Sequence, residues 1–254
     1  MLGVQRRKDL SRRATTPQEN AQVFQNMLRD ADELYPGVER LFARKRIDDI
    51  PCPGRKRHVW LNANGGTKFE LTQKNLVPFG PQDTERAMWN SICRVDSSNL
   101  QHIVDANAQV YVTVQHREEK EDVMMTSFVA SVPAIKRLSG VQIWKVVRRY
   151  VKADGTVFIC RTLTASTFAG NGPAIRTNAT AQLVVKHDQE VSLILSHVTV
   201  SNQVLGDELS TPTIEVDSAI AIWDGVLSRI ASDVESFLLD ESLQKSQSQA
   251  LGEG

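Results

Sequence analysis

Arg148, Arg161 and His197 are the side chains whose type and spacing come nearest to chemistry. Arg148 ends the run Val146-Val147-Arg148, and Arg161 follows the Asp154-Gly155 pair in the next apolar run. If Asp154-Gly155 is a two-residue turn, Tyr150 lies opposite Ile159 and Arg148 opposite Arg161. Trp144, Val146 and Leu163 share that face. Facing guanidinium groups repel unless an acid sits between them. One arrangement buries the pair around a ligand carboxylate, a phosphate or an internal Glu. The other turns both arginines to solvent, stems over Trp144 and Tyr150, with Val141, Ile143, Val147, Val151, Phe158 and Cys160 inward. The second face is the more aliphatic, and which of the two is concave stays open. His197 sits mid-strand, where it serves as a base only if it points into a cavity; a hydrogen-bonded structural histidine fits the same position.

Catalytic patterns find no support. His58, His102, His116, His187 and His197 show no HExxH or other ligand spacing, and no glycine-rich phosphate loop is present. There is no GxSxG elbow, and Cys52, Cys93 and Cys160 have neither CxxC spacing nor a recognisable nucleophile context. The reading is a protein without catalytic residues, metal or cofactor.

These residues need elements to hold them. From about Asp217 to Leu243, Ile220, Trp223, Leu227, Ile230, Val234 and Phe237 recur at steps of three and four, the stripe of an amphipathic helix. Ala21, Phe24, Leu28 and Ala31 form a second stripe from Pro17 to about Leu34, broken at Pro36-Gly37 and followed by a short helix through Lys45. Between them, Val59 to Asn62 and Lys68 to Leu71 predict a hairpin, and Asp83 to Ile92 a short helix. Six strands follow over 108–115, 123–132, 141–152, 156–164, 181–187 and 191–200. Residues 118–122 and 166–178 read as loops. The sum is an α+β chain with a single antiparallel sheet, one face covered by helix.

Composition sets the remaining bounds. With 254 residues, 41% hydrophobic and 24% charged, the chain can bury a sizeable core. Net charge is zero, but residues 1–58 carry a surplus of five positive charges and the rest a matching deficit. Residues 1–16, with Arg6, Arg7, Lys8, Arg12 and Arg13, read as a flexible basic arm able to touch acidic lipid headgroups. Residues 17–243 read as one domain and 244–254 as a disordered tail. No run reaches a membrane span and the first residues lack a secretory core, which predicts a cytoplasmic protein.

The order of elements resembles the helix-grip fold, in which a curved antiparallel sheet wraps a long C-terminal helix. More specifically the chain resembles the START-like proteins abundant in oomycetes, some called mating-specific. The residues that carry this are Val59-Trp60-Leu61-Asn62, Pro78-Phe79-Gly80, Ala87-Met88-Trp89, and Val146 to Val151 before the Asp154 turn. The resemblance covers about residues 17–243. It implies non-catalytic binding of a lipid or other apolar small molecule in a cavity between sheet and terminal helix. Trp144, Arg148, Tyr150, Arg161, His197, Trp223, Leu227 and Ile230 are the expected ligand-binding residues. The alternative is an adaptor for a protein or nucleic acid, working through the basic front end. Arg55-Lys56-Arg57 would supply phosphate contacts there, but the aromatic interleaving used for base stacking is absent, so nucleic acid is the weaker partner.

Overall fold

The computed structural model describes residues 17–61, 67–94, 110–131, 138–168, 174–188, 190–205, 224–225 and 228–252. Four helices and eight strands fall within them: α1 (Pro17–Leu34), α2 (Val38–Lys45), β1 (Gly54–Leu61), β2 (Thr67–Val77), α3 (Pro81–Cys93), β3 (Tyr111–Lys120), β4 (Val123–Ser131), β5 (Leu138–Lys152), β6 (Gly155–Phe168), β7 (Ala174–Asp188), β8 (Val191–Leu205) and α4 (Ile230–Gly252). The eight strands form one sheet in the order β1-β2-β8-β7-β6-β5-β4-β3. Every neighbouring pair is antiparallel. A curved antiparallel sheet with the chain's last helix on one side is the helix-grip arrangement. None of the described helices is long and apolar enough to cross a membrane.

Strand pairing follows sequence order from β3 to β8, but the first hairpin joins at β8, with Phe69 opposite Val200 and Leu71 opposite Val198. The β5–β6 register departs from the expected one. Lys152 pairs with Gly155, so Ala153 and Asp154 form the turn, Arg148 faces Ile159, and Arg161 faces Val146. Gly155 has φ of +148°, and a Cβ there would come within 2.2 Å of the Val185 carbonyl oxygen. Only glycine fits so close an approach of backbone to backbone, which places it in the strand rather than in the turn. The two-residue shift keeps both arginines on one face but sets them on a diagonal.

Strands also run through residues expected to be loop. Glu118, Glu119 and Lys120 belong to β3, and β7 begins at Ala174 inside the expected 166–178 loop. In β3, an edge strand, the side chains are mostly exposed and have no apolar period, yet the backbone still pairs. Helix α4 continues to Gly252, through residues expected to be tail. Residues 1–16 and 206–223 lie outside the described residues.

The sheet is covered on both faces, not one. On the first, Phe69, Leu71, Phe158, Leu183 and Ile194 pack with Met88 and Trp89 of α3 and with Val234 and Leu238 of α4. Arg86 of α3 ties these two helices together by donating to both carboxylate oxygens of Glu241, at 2.6 and 2.7 Å. On the second face, Ala31, Val38, Phe42, Ile47 and Ile50 sit on Val157, Ile159 and Leu195. Further along α1, Phe24 and Met27 sit on Trp144 and Val146. The amphipathic stripe of α1 needs an apolar surface, and a sheet with two sides offers a second one.

Candidate functional site

The expected site residues divide between the two faces. Trp144, Arg148, Tyr150, Arg161 and His197 all project toward α1 and α2, whereas Ile230 lies against the α3–α4 core. The described ones therefore sit on opposite sides of the sheet. Trp223 and Leu227 lie outside the described residues.

The arginines have internal partners, and these come from α1. Arg148 Nε donates to Asp32 Oδ1 at 3.0 Å, and the Tyr150 hydroxyl donates to the same oxygen at 2.7 Å. Tyr150 stacks on Tyr35 with centroids 3.9 Å apart. Burial and the neighbouring Asp32 carboxylate push the phenol pKa above its ordinary value. Arg161 donates to Asp30 Oδ2 at 3.0 Å and to the Thr180 hydroxyl, while its buried Nε has no hydrogen-bond partner. Trp144 Nε1 donates to Asn20 Oδ1 at 2.7 Å. The acid that the arginines require is therefore supplied by the first helix, spaced so that Asn20, Asp30 and Asp32 meet the four strand residues Trp144, Arg148, Tyr150 and Arg161. The face with Val147, Phe158 and Cys160 is the one turned to the terminal helix.

His197 belongs to a separate buried cluster. Its Nε2 lies 3.7 Å from Glu70 Oε1, too far for a hydrogen bond. Glu70 accepts from Lys45 Nζ at 2.5 Å. Burial lowers the His197 pKa to about 4, although Glu70 opposes the shift. Burial also works against ionising Glu70, but Lys45 and His197 hold its pKa below the usual value. A histidine that stays neutral at physiological pH, sealed beneath α2, acts as packing rather than as an accessible base. Burial likewise pushes the Cys93 thiol up to about 12, which removes the thiolate a nucleophile needs. Among the described residues, no group of three or more His, Cys, Asp and Glu could hold a metal ion.

An opening lies elsewhere on the α1 face, between α1 and the β3–β4 edge. It is a groove of about 760 Å³. Phe24 and Leu28 from α1 with Met125 from β4 form its floor, and exposed Ala21 forms part of its wall; the three helix positions are spaced three and four apart. The rim is polar: Asn20 and Gln25 on one side, Gln115, His116, Glu118 and Lys120 on the other. None of these residues stands out in the sequence as a site residue.

A β-bulge builds that rim. Val114 pairs with Phe128 but His116 pairs with Ser127, so Gln115 is an extra residue on β3. Before the bulge the even-numbered side chains Val112 and Val114 lie on the face of Phe128 and Ile143. After it, His116, Glu118 and Lys120 turn to the α1 face. An inserted residue transfers the alternation to the opposite side of the sheet. The signal in the sequence is the end of the Ala108-Val110-Val112-Val114 alternation at Gln115. His116 then rests against Phe24, centroids 5.2 Å apart, and Glu118 pairs with Lys120 at 2.6 Å. The Lys120 hydrogen bond holds the Glu118 carboxyl below its usual pKa. Trp144 lies just under this groove, through its bond to Asn20.

No protein-family model matches the chain, and no curated protein matches it. Among solved structures it is similar to human STARD10, at 8% identity and a TM-score of 0.39, over 76% of this chain and 78% of that one. It is similar to Ara h 8.0201, at 11% identity and a TM-score of 0.35, over 68% of this chain and 99% of that one. A conserved protein from Geobacillus kaustophilus gives 10% identity and a TM-score of 0.31, over 67% of this chain and 95% of that one. At these scores the likeness carries no argument about what the chain does.

Proposed function

We propose that the chain is a non-catalytic binding module that holds a lipid or other amphipathic small molecule in the groove between α1 and the β3–β4 edge. The observation that carries this reading is the groove itself. Its volume of about 760 Å³ falls in the range of small-molecule sites, and its layout is an apolar floor under a polar rim. An acyl chain on Phe24, Leu28 and Met125 would be driven by removal of apolar surface from water, at roughly 25 cal/mol per Å² before ordering costs. Asn20, Gln25 and His116 would then meet the polar end of the molecule.

Native mass spectrometry of the purified protein, before and after incubation with a lipid extract, tests the proposal. Wild-type protein should gain discrete ligand masses. Ala21→Trp, at an exposed position of the groove wall, should lose them while keeping its fold. No uptake by the wild type ends the binding reading. Uptake that survives Ala21→Trp but is lost in Ile230→Trp returns the ligand to the space between sheet and terminal helix.

A further inference from the structure

The end of β1 presents apolar side chains in an unusual way. β1 is the edge strand and has β2 as its neighbour in the sheet. Every residue from Arg55 to Leu61 is exposed. Val59, Trp60 and Leu61 are 40%, 42% and 71% accessible, three consecutive apolar residues at the end of the strand. Because strand side chains alternate, Val59 and Leu61 project from one face and Trp60 from the other. The Trp60 ring is held between His58, centroids 5.6 Å apart, and Lys68 Nζ, 5.6 Å from the ring centre.

Around this point the charge is positive. Arg55 and Arg57 share the single carboxylate of Asp224, at 3.7 and 3.0 Å. Lys56 and Lys68 are exposed beside them, and the nearby Glu70 is taken up by Lys45. We infer that this end of β1 docks on an anionic lipid bilayer, with Val59, Trp60 and Leu61 entering the interface and the cations meeting lipid phosphates. A flat partner, whether a protein face or a stack of bases, covers one side of a strand. A bilayer interface takes up apolar groups from both sides of a strand end at once. Tryptophan favours the headgroup boundary, ring among chains and N–H toward water. Lysine and arginine stems reach back from it to the phosphates. The inference is independent of the groove, since no residue is shared.

The experiment is co-sedimentation with phosphatidylcholine vesicles prepared with and without phosphatidylserine. Wild-type protein should bind only when phosphatidylserine is present and should be released by added salt. The double variant Trp60→Ala with Leu61→Ser should bind about tenfold more weakly or worse, with an unchanged circular dichroism spectrum. Lys56→Glu with Lys68→Glu should remove the dependence on phosphatidylserine. Vesicles carrying brominated acyl chains should quench wild-type fluorescence more than that of Trp60→Ala. Absence of vesicle binding, or binding untouched by the apolar double variant, overturns the inference. So does quenching of Trp60 by a single-stranded oligonucleotide in a protein that ignores vesicles, which would make this end of the strand a base-stacking site. Retention of vesicle binding by Ala21→Trp is expected, and its loss would tie docking to the groove and overturn this assignment.

Discussion

The two faces of the sheet are held by different physics. Toward α3 and α4, contact is made by Phe69, Phe158, Leu183, Met88 and Val234, all almost fully buried, and the charged link between the helices sits at the surface. Toward α1 and α2 the sheet presents apolar ground interrupted by Glu70, Arg161 and His197, with Arg148 and Tyr150 at its margin. Each of these is met by a group from the helices or a neighbouring strand. Apolar packing gives stability without direction, whereas a carboxylate that must reach a particular guanidinium fixes where a helix lies. Helix α1 is therefore positioned chiefly by charge and α4 chiefly by volume. The groove opens beside the helix that is positioned by charge.

The largest effect should come from the apolar face. Phe158→Ala removes a fully buried ring and should cost about 3–5 kcal/mol in denaturant unfolding, with little dependence on pH or salt. A loss below about 1 kcal/mol would mean that this core repacks freely and that the contrast between the faces is weak.

Next comes the pH response of the other face. His197 is charged in the unfolded chain below pH 6.5 but resists protonation in the fold until about pH 4. The unfolded state therefore binds the extra proton between those values, and stability falls as pH drops through that window, by on the order of 3 kcal/mol. Glu70 faces the ring as an attractive charge, and Lys45 and Arg44 as repulsive ones. In His197→Gln the fall from pH 7 to 4.5 should be much smaller, as measured by urea unfolding at both values. An identical fall would place the pH sensitivity elsewhere.

Smaller again is the loss from Asp30→Ala, about 1–3 kcal/mol, because it removes a charged acceptor from mostly buried Arg161. Asp32→Ala should cost about 1 kcal/mol, since the Arg148–Asp32 pair is partly solvated. Both losses should be local. Hydrogen exchange should speed up in α1 while amides of β6 to β8 keep their protection, and uniform acceleration would show that α1 is integral to one cooperative unit.

The periodic elements were legible in the chain. The stripe of Phe24, Leu28 and Ala31, the alternation at Val110 to Val114 and the break at Pro36-Gly37 foretold α1, β3 and a bend, because each is a local pattern with a local cause, whereas Asp154-Gly155 marked a turn but misplaced it by one residue. The opposition of charge around Arg148 and Arg161 was also legible: an acid was required. Which acid was not, since Asp30 and Asp32 lie more than a hundred residues away and only folding brings them to β5 and β6.

The groove was illegible for a related reason. Phe24 and Leu28 read as an ordinary packing stripe, Glu118 and Lys120 as a charged loop, and His116 as one of five histidines without ligand spacing. One inserted residue, Gln115, transfers the three to the helix side of the sheet, and periodicity within a strand cannot reveal a change in its own phase. The helices and strands with a strong apolar period can be read from the sequence, since backbone propensity and apolar period act over a few residues, while the polar strand segments at Glu118 to Lys120 and Ala174 to Asn178 cannot. The tertiary structure alone decided that the first hairpin joins β8, that both faces are covered, and which side chains share a groove. Those outcomes depend on contacts between distant residues, which compete for surface only once the sheet exists.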